Sequence, residues 1–333
     1  VLFVFSVGNV QIAAPVFLAP MSGVTDAAFR TQAVRFGAPA VVTEMVAGAE
    51  LAKDTEEFVR RAAPHAGEGP FIVQLAGREP LWMRIGAEIA AAAGADIIDI
   101  NMGCPAKRVT GGQSGCALMR EPGLARELIA ATVKAVSVPV TVKMRLGWDD
   151  ASLNAPELVR IAEGEGARMV TVHGRTRNQF YEGRADWARI APAVAASALP
   201  VIANGDIADA ASARAAMDQS GAVGVMIGRG AVGRPWRLAE IAAAVFGAAY
   251  VEPTPDEKLA SITAQIADSA ALYGEKLGVR VVRKHVAGFV DAWCEDYGLP
   301  PMDAVRTHLC RLDSPSALAD ELVGALSGLK AAA

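Results

Sequence analysis

One pattern recurs so regularly in this chain that few folds can hold it. A short apolar strand leads into a loop with a glycine or polar group, and an alanine-rich helix follows. The strands expected are residues 15–20 (PVFLAP), 40–45 (AVVTEM), 71–76 (FIVQLA), 96–101 (DIIDIN), 139–145 (PVTVKMR), 169–173 (MVTVH), 200–204 (PVIAN) and 223–228 (VGVMIG). Helical periodicity fills the gaps, as in LWMRIGAEIAAAAG and LARELIAATVKAV, and glycine often ends the helix. Eight such units over roughly 230 residues is the count and length of a (β/α)8 TIM barrel. A doubly wound sheet, the main competitor, usually has fewer strands. Ahead of the series, residues 3–18 alternate around Gly8-Asn9 and read as a short hairpin leading into the first strand.

After Phe246-Gly247 the pattern stops. The stretch AAYVEPTPDE has two prolines and acidic residues, as a linker does, and residues 256–328 are helical in pattern with no strand alternation. The expected organisation is an α/β barrel domain over 1–247, a linker over 248–255 and a small all-helical domain over 256–333.

With 52% hydrophobic and 20% charged residues, the chain can build a sizeable core, and its scarce aromatics beside abundant Ala and Gly suit helices packed on a parallel sheet. A formal charge of −4 exerts no global pull on nucleic acid, so a polyanion would have to meet a local basic patch. The four cysteines include no C-x-x-C pair and make no disulfide framework. Cys294, His308 and Cys310 could supply three ligands, but burial in a core is the ordinary fate of such thiols, and no metal is expected. The N-terminal VLFVFSV is too short for a membrane span and lacks the flanks of a signal peptide, and no later segment is long and uncharged enough to span. A cytoplasmic location is expected.

A barrel gathers its functional groups at the C-terminal ends of its strands. Those ends carry Pro20-Met21-Ser22, Glu44-Met45, Gln74, Asn101, Lys143 with Arg145, His173 with Arg175, Asn204-Gly205-Asp206 and Gly228-Arg229. One polar residue entering a loop is ordinary; eight strand ends alike point to a ligand. GRGAVG (228–233) matches a dinucleotide fingerprint but follows the last strand. It is better explained as a phosphate loop after strand eight, with Asn204-Gly205-Asp206 and Gly228-Arg229 around one phosphate. Lys143, inside an apolar strand, suits either a Schiff-base nucleophile or a cation beside an electron-rich ring. Cys104 sits in the glycine-rich stretch 101–119, NMGCPAKRVTGGQSGCALM, beside Lys107 and Arg108. A thiol in such a loop is a candidate for chemistry.

These residues carry a resemblance. LAPMSGVTD (18–26), TEM (43–45), QLAG (74–77), DINMGCPAKRVTGGQSGCALM (99–119), VKMRLGW (142–148), VTVHGRTRNQFYEG (170–183), VIANGDI (201–207), MIGRGAVGRPW (226–236) and RKHVAGF (283–289) together resemble the tRNA-dihydrouridine synthases. The likeness is greatest to the bacterial B-type group that includes nitrogen-regulation proteins of the same fold. The central cysteine loop and HGRTR are specific to that family, whereas the APM, NGD and GRG pieces occur more widely among flavin-binding barrels.

The resemblance implies FMN at the barrel mouth, reduced by NADPH, and reduction of the carbon 5–carbon 6 bond of uridines in tRNA. It places Pro20, Met21 and Ser22 at the flavin edge, Gln74 and Lys143 at the ring's polar edge, and His173 close to both flavin and base. Asn204, Gly205, Asp206, Gly228 and Arg229 would take the phosphate, and Cys104 would be the general acid. Asn101, Lys107, Arg108, Arg145, Arg175 and Arg177 would serve substrate. Arg280, Arg283 and Lys284, with His285, fall on adjacent turns of one C-terminal helix and form the expected local tRNA patch. Arg306, His308 and Arg311 lie on another helix. Three further readings remain at this point: a lyase or aldolase using Lys143, a flavin-dependent barrel reductase of a small pyrimidine or dihydroorotate-like substrate, and a non-catalytic RNA-binding regulator on the same fold.

Overall fold

A computed structural model describes residues 5–328, the side chain of Arg108 excepted. Residues 3 and 4 of the expected hairpin lie outside the described residues. The hairpin is β1 (Phe5–Val7) and β2 (Val10–Ile12), antiparallel with Phe5 opposite Ile12. There follow β3 (Val16–Leu18), β4 (Ala40–Val42), β5 (Val46–Ala47), β6 (Phe71–Ala76) and β7 (Ile97–Met102). The series ends with β8 (Val140–Arg145), β9 (Met169–His173), β10 (Val201–Asn204) and β11 (Gly224–Ile227).

All pairings from β3 onward are parallel, and the sheet closes because β3 bonds to both β4 and β11 while β4 bonds to β6. The eight strands form a TIM barrel, and β5 is a two-residue addition beside β6. The strand expected over 40–45 leaves the ladder at Val42. There the Thr43 hydroxyl turns to the Glu44 carbonyl, and the Glu44 carboxylate takes the Gly23 N–H from the loop after β3.

Period-two alternation sorts the side chains. On β8, Val140, Val142 and Met144 face the helices and join the main apolar core. Thr141, Lys143 and Arg145 then fall on the opposite, inner face. Inside the barrel, Phe17, Ala40, Ile72, Ile97, Met169 and Ile202, at or near the starts of their strands, pack with Phe5, Val7 and Ile12 of the hairpin. That end is an apolar plug, each large side chain contributing about 1.5–3 kcal/mol. The polar inner positions sit at the other end, which is therefore the mouth.

Four helices, Pro255–Tyr273, Glu275–Asp296, Asp303–Leu309 and Pro315–Ser327, follow the barrel. The first opens on a capping box between Thr254 and Glu257 with Pro255 inside it, which fixes where the helix starts. The four gather around Val279, Val282, Val286, Phe289 and Trp293, and the barrel's own Trp236 joins that core. Gly233, in the loop after β11, adopts φ +78° and lies so close to Glu275–Asp296 that a Cβ would collide with the Gly288 carbonyl. Among the described residues no helix is long and apolar enough to cross a membrane.

Candidate active site

The inner residues at the mouth are tied strand to strand. Gln74 on β6 donates from Nε2 to Asp99 Oδ2 at 2.7 Å, and Thr141 on β8 donates to Asp99 Oδ1 at 2.6 Å. Burial pushes the Asp99 carboxyl up, against the pull of Thr141, Gln74 and Lys143. The Gln74 amide oxygen accepts from Asn101 Nδ2 at 2.7 Å. Asn101 Oδ1 in turn accepts the backbone N–H of Cys104 at 3.0 Å and, more weakly, that of Gly103 at 3.3 Å. Gln74 and Asn101, expected at ligand, thus form the chain of bonds that turns the polypeptide out of β7 and aims the cysteine.

Cys104 is half-buried. Burial pushes its thiol above the usual range, opposed by the Ala106 N–H and by Arg145 and Lys143, so it stays protonated at neutral pH. The loop beyond it is more ordered than its glycines suggest. It runs through a short helix, Lys107–Thr110, into a 3-10 helix, Gly115–Arg120, whose Cys116, Leu118 and Met119 are core residues. Gly115 has φ +59°, and a Cβ there would sit 2.8 Å from Val109 Cγ1 and 2.9 Å from the Cys104 carbonyl. Lys107 is exposed; the side chain of Arg108 lies outside what is described.

Four cations surround the mouth. Lys143 is buried and donates to Asn204 Oδ1 at 3.0 Å, while Asn204 Nδ2 donates to the Met226 carbonyl at 2.8 Å. Burial, then Arg145, pushes the Lys143 ammonium down to about 8. Arg145 is 1% exposed and donates to the carbonyls of Gly103, Thr176 and Phe180 at 2.9, 2.8 and 2.7 Å. It laces the cysteine loop to the loop after β9. Arg175, equally buried, donates to Asp206 Oδ2 at 2.6 Å and to the Gly183 carbonyl at 2.7 Å, and approaches His173 Nε2 at 3.3 Å. A guanidinium only donates, so that nitrogen is an acceptor and the imidazole is neutral. Burial holds His173 well below its ordinary range, and Lys143, Arg145, Arg175 and Arg229 add to the effect. Both arginines were expected at substrate; their guanidinia are engaged in holding loops.

Arg229 is the exposed cation of the four, with Asp206 Oδ1 3.3 Å away. Burial raises the Asp206 carboxyl, but the Ala185 N–H, Arg175 and Arg229 outweigh it, and the group lies low. Asp206 therefore fixes the guanidinium rather than offering itself to an anion. Small residues bring the two neighbouring loops together: a Cβ on Gly230 would fall 2.7 Å from Ala208 Cα. Gly205, at φ +113°, lies flat on His173, where a Cβ would be 2.7 Å from the ring. Across the mouth Met21 lies beside Gly228, its sulfur 3.3 Å from where a Cβ would stand, and Pro20 and Met21 are half-buried with Ser22 exposed.

Several groups at the mouth were not among the expected site residues. Thr171 Oγ1, on β9 beside Lys143 in register, is buried without a hydrogen-bond partner among the described residues. Tyr181 is 58% exposed with the Arg145 guanidinium 5.5 Å and the Arg229 guanidinium 6.0 Å from its ring. Trp148 lies between Arg120 and Arg177, at 4.1 and 4.6 Å, which fastens the cysteine loop to its neighbours. Asp99 and Thr171 were findable, being two residues before Asn101 and His173 on the same strand faces. The sign of Tyr181 was its place beside Phe180 in an otherwise polar loop.

The residues fit a flat, anionic ligand. An ammonium carries three donors, and among the described residues only Asn204 accepts from that of Lys143. The Thr171 hydroxyl awaits a partner, and Arg229 stands exposed beside a glycine-lined loop. Among the described residues no group of three His, Cys, Asp or Glu is placed to hold a metal ion.

The C-terminal cations disperse. Arg283 pairs with Asp313 at 2.7 Å, Lys284 donates to the Gly23 carbonyl, and His285 is buried. Arg306 pairs with Asp291 and Asp303. Arg280 stays exposed with no ion pair among the described residues.

A sequence model of the family described as dihydrouridine synthase matches residues 17–315. The chain is 50% identical to a protein of Rhodobacter capsulatus named "Probable tRNA-dihydrouridine synthase", over 98% of this chain and 99% of that one. It is 39% identical to "tRNA-dihydrouridine synthase B" of Pasteurella multocida, over 93% and 92%. Among solved structures it resembles histamine dehydrogenase from Rhizobium sp. 4-9, with TM-score 0.55 and 14% identity, over 80% of this chain and 50% of that longer one, a likeness of fold.

Proposed function

The chain belongs to the dihydrouridine synthase family, and from that premise we propose how its barrel mouth serves as a tRNA-dihydrouridine synthase. The product is 5,6-dihydrouridine in tRNA, the cofactor is FMN and the reductant is NADPH. When bound, FMN reduced by NADPH supplies a hydride to carbon 6 of the uracil.

Opening the carbon 5–carbon 6 double bond places negative charge on the base, and carbon 5 needs a proton. Cys104 gives it, and solvent returns a proton to the sulfur. The observation that carries this reading is the state of that thiol: tethered by Asn101 at the mouth and held protonated by burial. A general acid must keep its proton until charge develops, and Arg145 and Lys143 do not strip it.

Lys143 bonds the polar edge of the ring, where low dielectric strengthens its remaining donors. Neutral His173 lies beside ring and base. Arg229, with the backbone of Gly205 and Gly228, takes the phosphate, while Met21 and Pro20 line the edge. Arg145 and Arg175 act at the substrate by fixing the loops around the uracil. Lys107, Arg177 and Arg280 face RNA phosphates. The uridine must leave its stack to reach this depth. Residues 256–333 form the RNA-docking domain, and the protein works in the cytoplasm.

The test has two readings: the visible spectrum of the purified protein, and dihydrouridine formed in unmodified tRNA with NADPH. Flavin absorbance with product supports the reading. A colourless protein overturns it, and flavin without product moves the protein to another substrate.

A further inference from the structure

The helix Glu275–Asp296 belongs to the C-terminal group, yet three of its residues on neighbouring turns touch the loops that flank the mouth. Lys284 Nζ donates to the Gly23 carbonyl, and His285 Nε2 meets the Val24 carbonyl at 3.0 Å. Gly288 lies against Gly233 of the loop after β11.

The first of these loops is a tight turn closed on itself. Val24 N and Thr25 N both donate to the Met21 carbonyl, at 2.9 and 3.0 Å, and Met21 N donates to Thr25 Oγ1 at 2.9 Å. Its ties to other elements are few. Glu44 accepts the Gly23 N–H, Arg30 donates to the Thr25 carbonyl at 3.1 Å, and the C-terminal helix donates to the carbonyls of Gly23 and Val24. The side chain of Met21 reaches from this turn to Gly228.

His285 is built for this contact. It is 1% exposed, its ring lies 4.6 Å from that of Phe29, and a carbonyl only accepts, so Nε2 carries the proton. Its Nδ1 has no partner among the described residues, as expected of a neutral ring held for one bond.

We propose that Lys284 and His285 are positioning residues for the cofactor site, setting the turn Met21–Thr25 through its carbonyls so that the helix bearing Arg280 also shapes the ring edge. The idea deepens the proposed function and rests on it for what the turn holds, but the bracket itself is a property of the chain alone. RNA docking on that helix is thereby linked to the geometry at Met21.

Hydrogen–deuterium exchange on the full-length protein as purified tests it, comparing wild type with His285→Leu, His285→Gln and Lys284→Met. Gln keeps a donor near the Nε2 position. Exchange over residues 21–25 should rise about tenfold in His285→Leu and less in Lys284→Met, the scale of one lost hydrogen bond, and return toward wild type in His285→Gln. Strand β8 should not change. Retention of flavin through gel filtration should fall in the same order. Unchanged exchange in both His285→Leu and Lys284→Met, or a rise spread evenly over the barrel, overturns the proposal; Lys284→Met, altering an exposed side chain, keeps the test open should His285→Leu not fold. A wild-type protein without flavin would sink the proposed function while the exchange result still decided the bracket.

Discussion

The side-chain oxygen of Asn101 accepts the backbone N–H of Cys104 at 3.0 Å, and the same side chain donates to Gln74 at 2.7 Å. The thiol is therefore oriented from the barrel wall. Asn101→Ala breaks three bonds at once and lets the loop wander, without touching the sulfur. Turnover of tRNA should fall on the order of a hundredfold in kcat, as for a group displaced by about 1 Å, while flavin reduction by NADPH stays near wild type. Stopped-flow absorbance separates the two steps.

Gly115 should be intolerant of any side chain. Its φ of +59° and the 2.9 Å approach to the Cys104 carbonyl mean that Gly115→Ala meets both strain and overlap. A loss of about 2–4 kcal/mol in urea unfolding is expected. A loss below about 0.5 kcal/mol, the scale of an ordinary surface change, would mean that the loop can relax away from the cysteine.

Lys143 gives a pH dependence with a definite sign. Its ammonium lies at about 8 in the free protein, and an anionic ligand prefers the charged form. Affinity for FMN should be flat below about 8 and weaken by up to about tenfold per pH unit above it. Fluorescence titration reads this directly. Lys143→Arg, always charged, should remove the alkaline limb. Cys104 cannot be its source, because burial pushes that thiol above its ordinary range.

The eight strand positions were legible because closed parallel barrels demand short apolar strands at even spacing; 71–76 and 169–173 coincide with β6 and β9. Strand ends bearing polar groups located the mouth for the same reason. Which polar groups stay free there was not legible. Arg145 and Arg229 look alike in sequence, yet one is buried against three carbonyls and the other exposed, a difference made by loops arriving from elsewhere in the chain. On the C-terminal helix, 283, 284 and 285 differ by about 100° per step, so three adjacent basic positions cannot share one face. Only the contacts with Phe29 and the Val24 carbonyl decide that His285 goes inward.

His285 also makes acid sensitivity predictable. Burial, with Lys284 adding, pushes its imidazole down to about 3. The unfolded chain takes up that proton below about pH 6.5, so the neutral folded form loses stability as pH falls from there toward 3. At about pH 5 the loss reaches roughly 2 kcal/mol. His285→Gln should therefore narrow the gap between melting temperatures at about pH 7 and pH 5 relative to wild type, and an unchanged gap would mean that the ring is protonated in the folded state.

The decisive measurement is mass-spectrometric analysis of tRNA lacking dihydrouridine after incubation with NADPH and either wild type or Cys104→Ala. Wild type should add two hydrogens to defined uridines, and Cys104→Ala should do so about a hundred- to ten-thousandfold more slowly while still oxidising NADPH. Equal rates for the two proteins would contradict proton donation by Cys104, and no dihydrouridine from wild type would contradict the assignment of substrate.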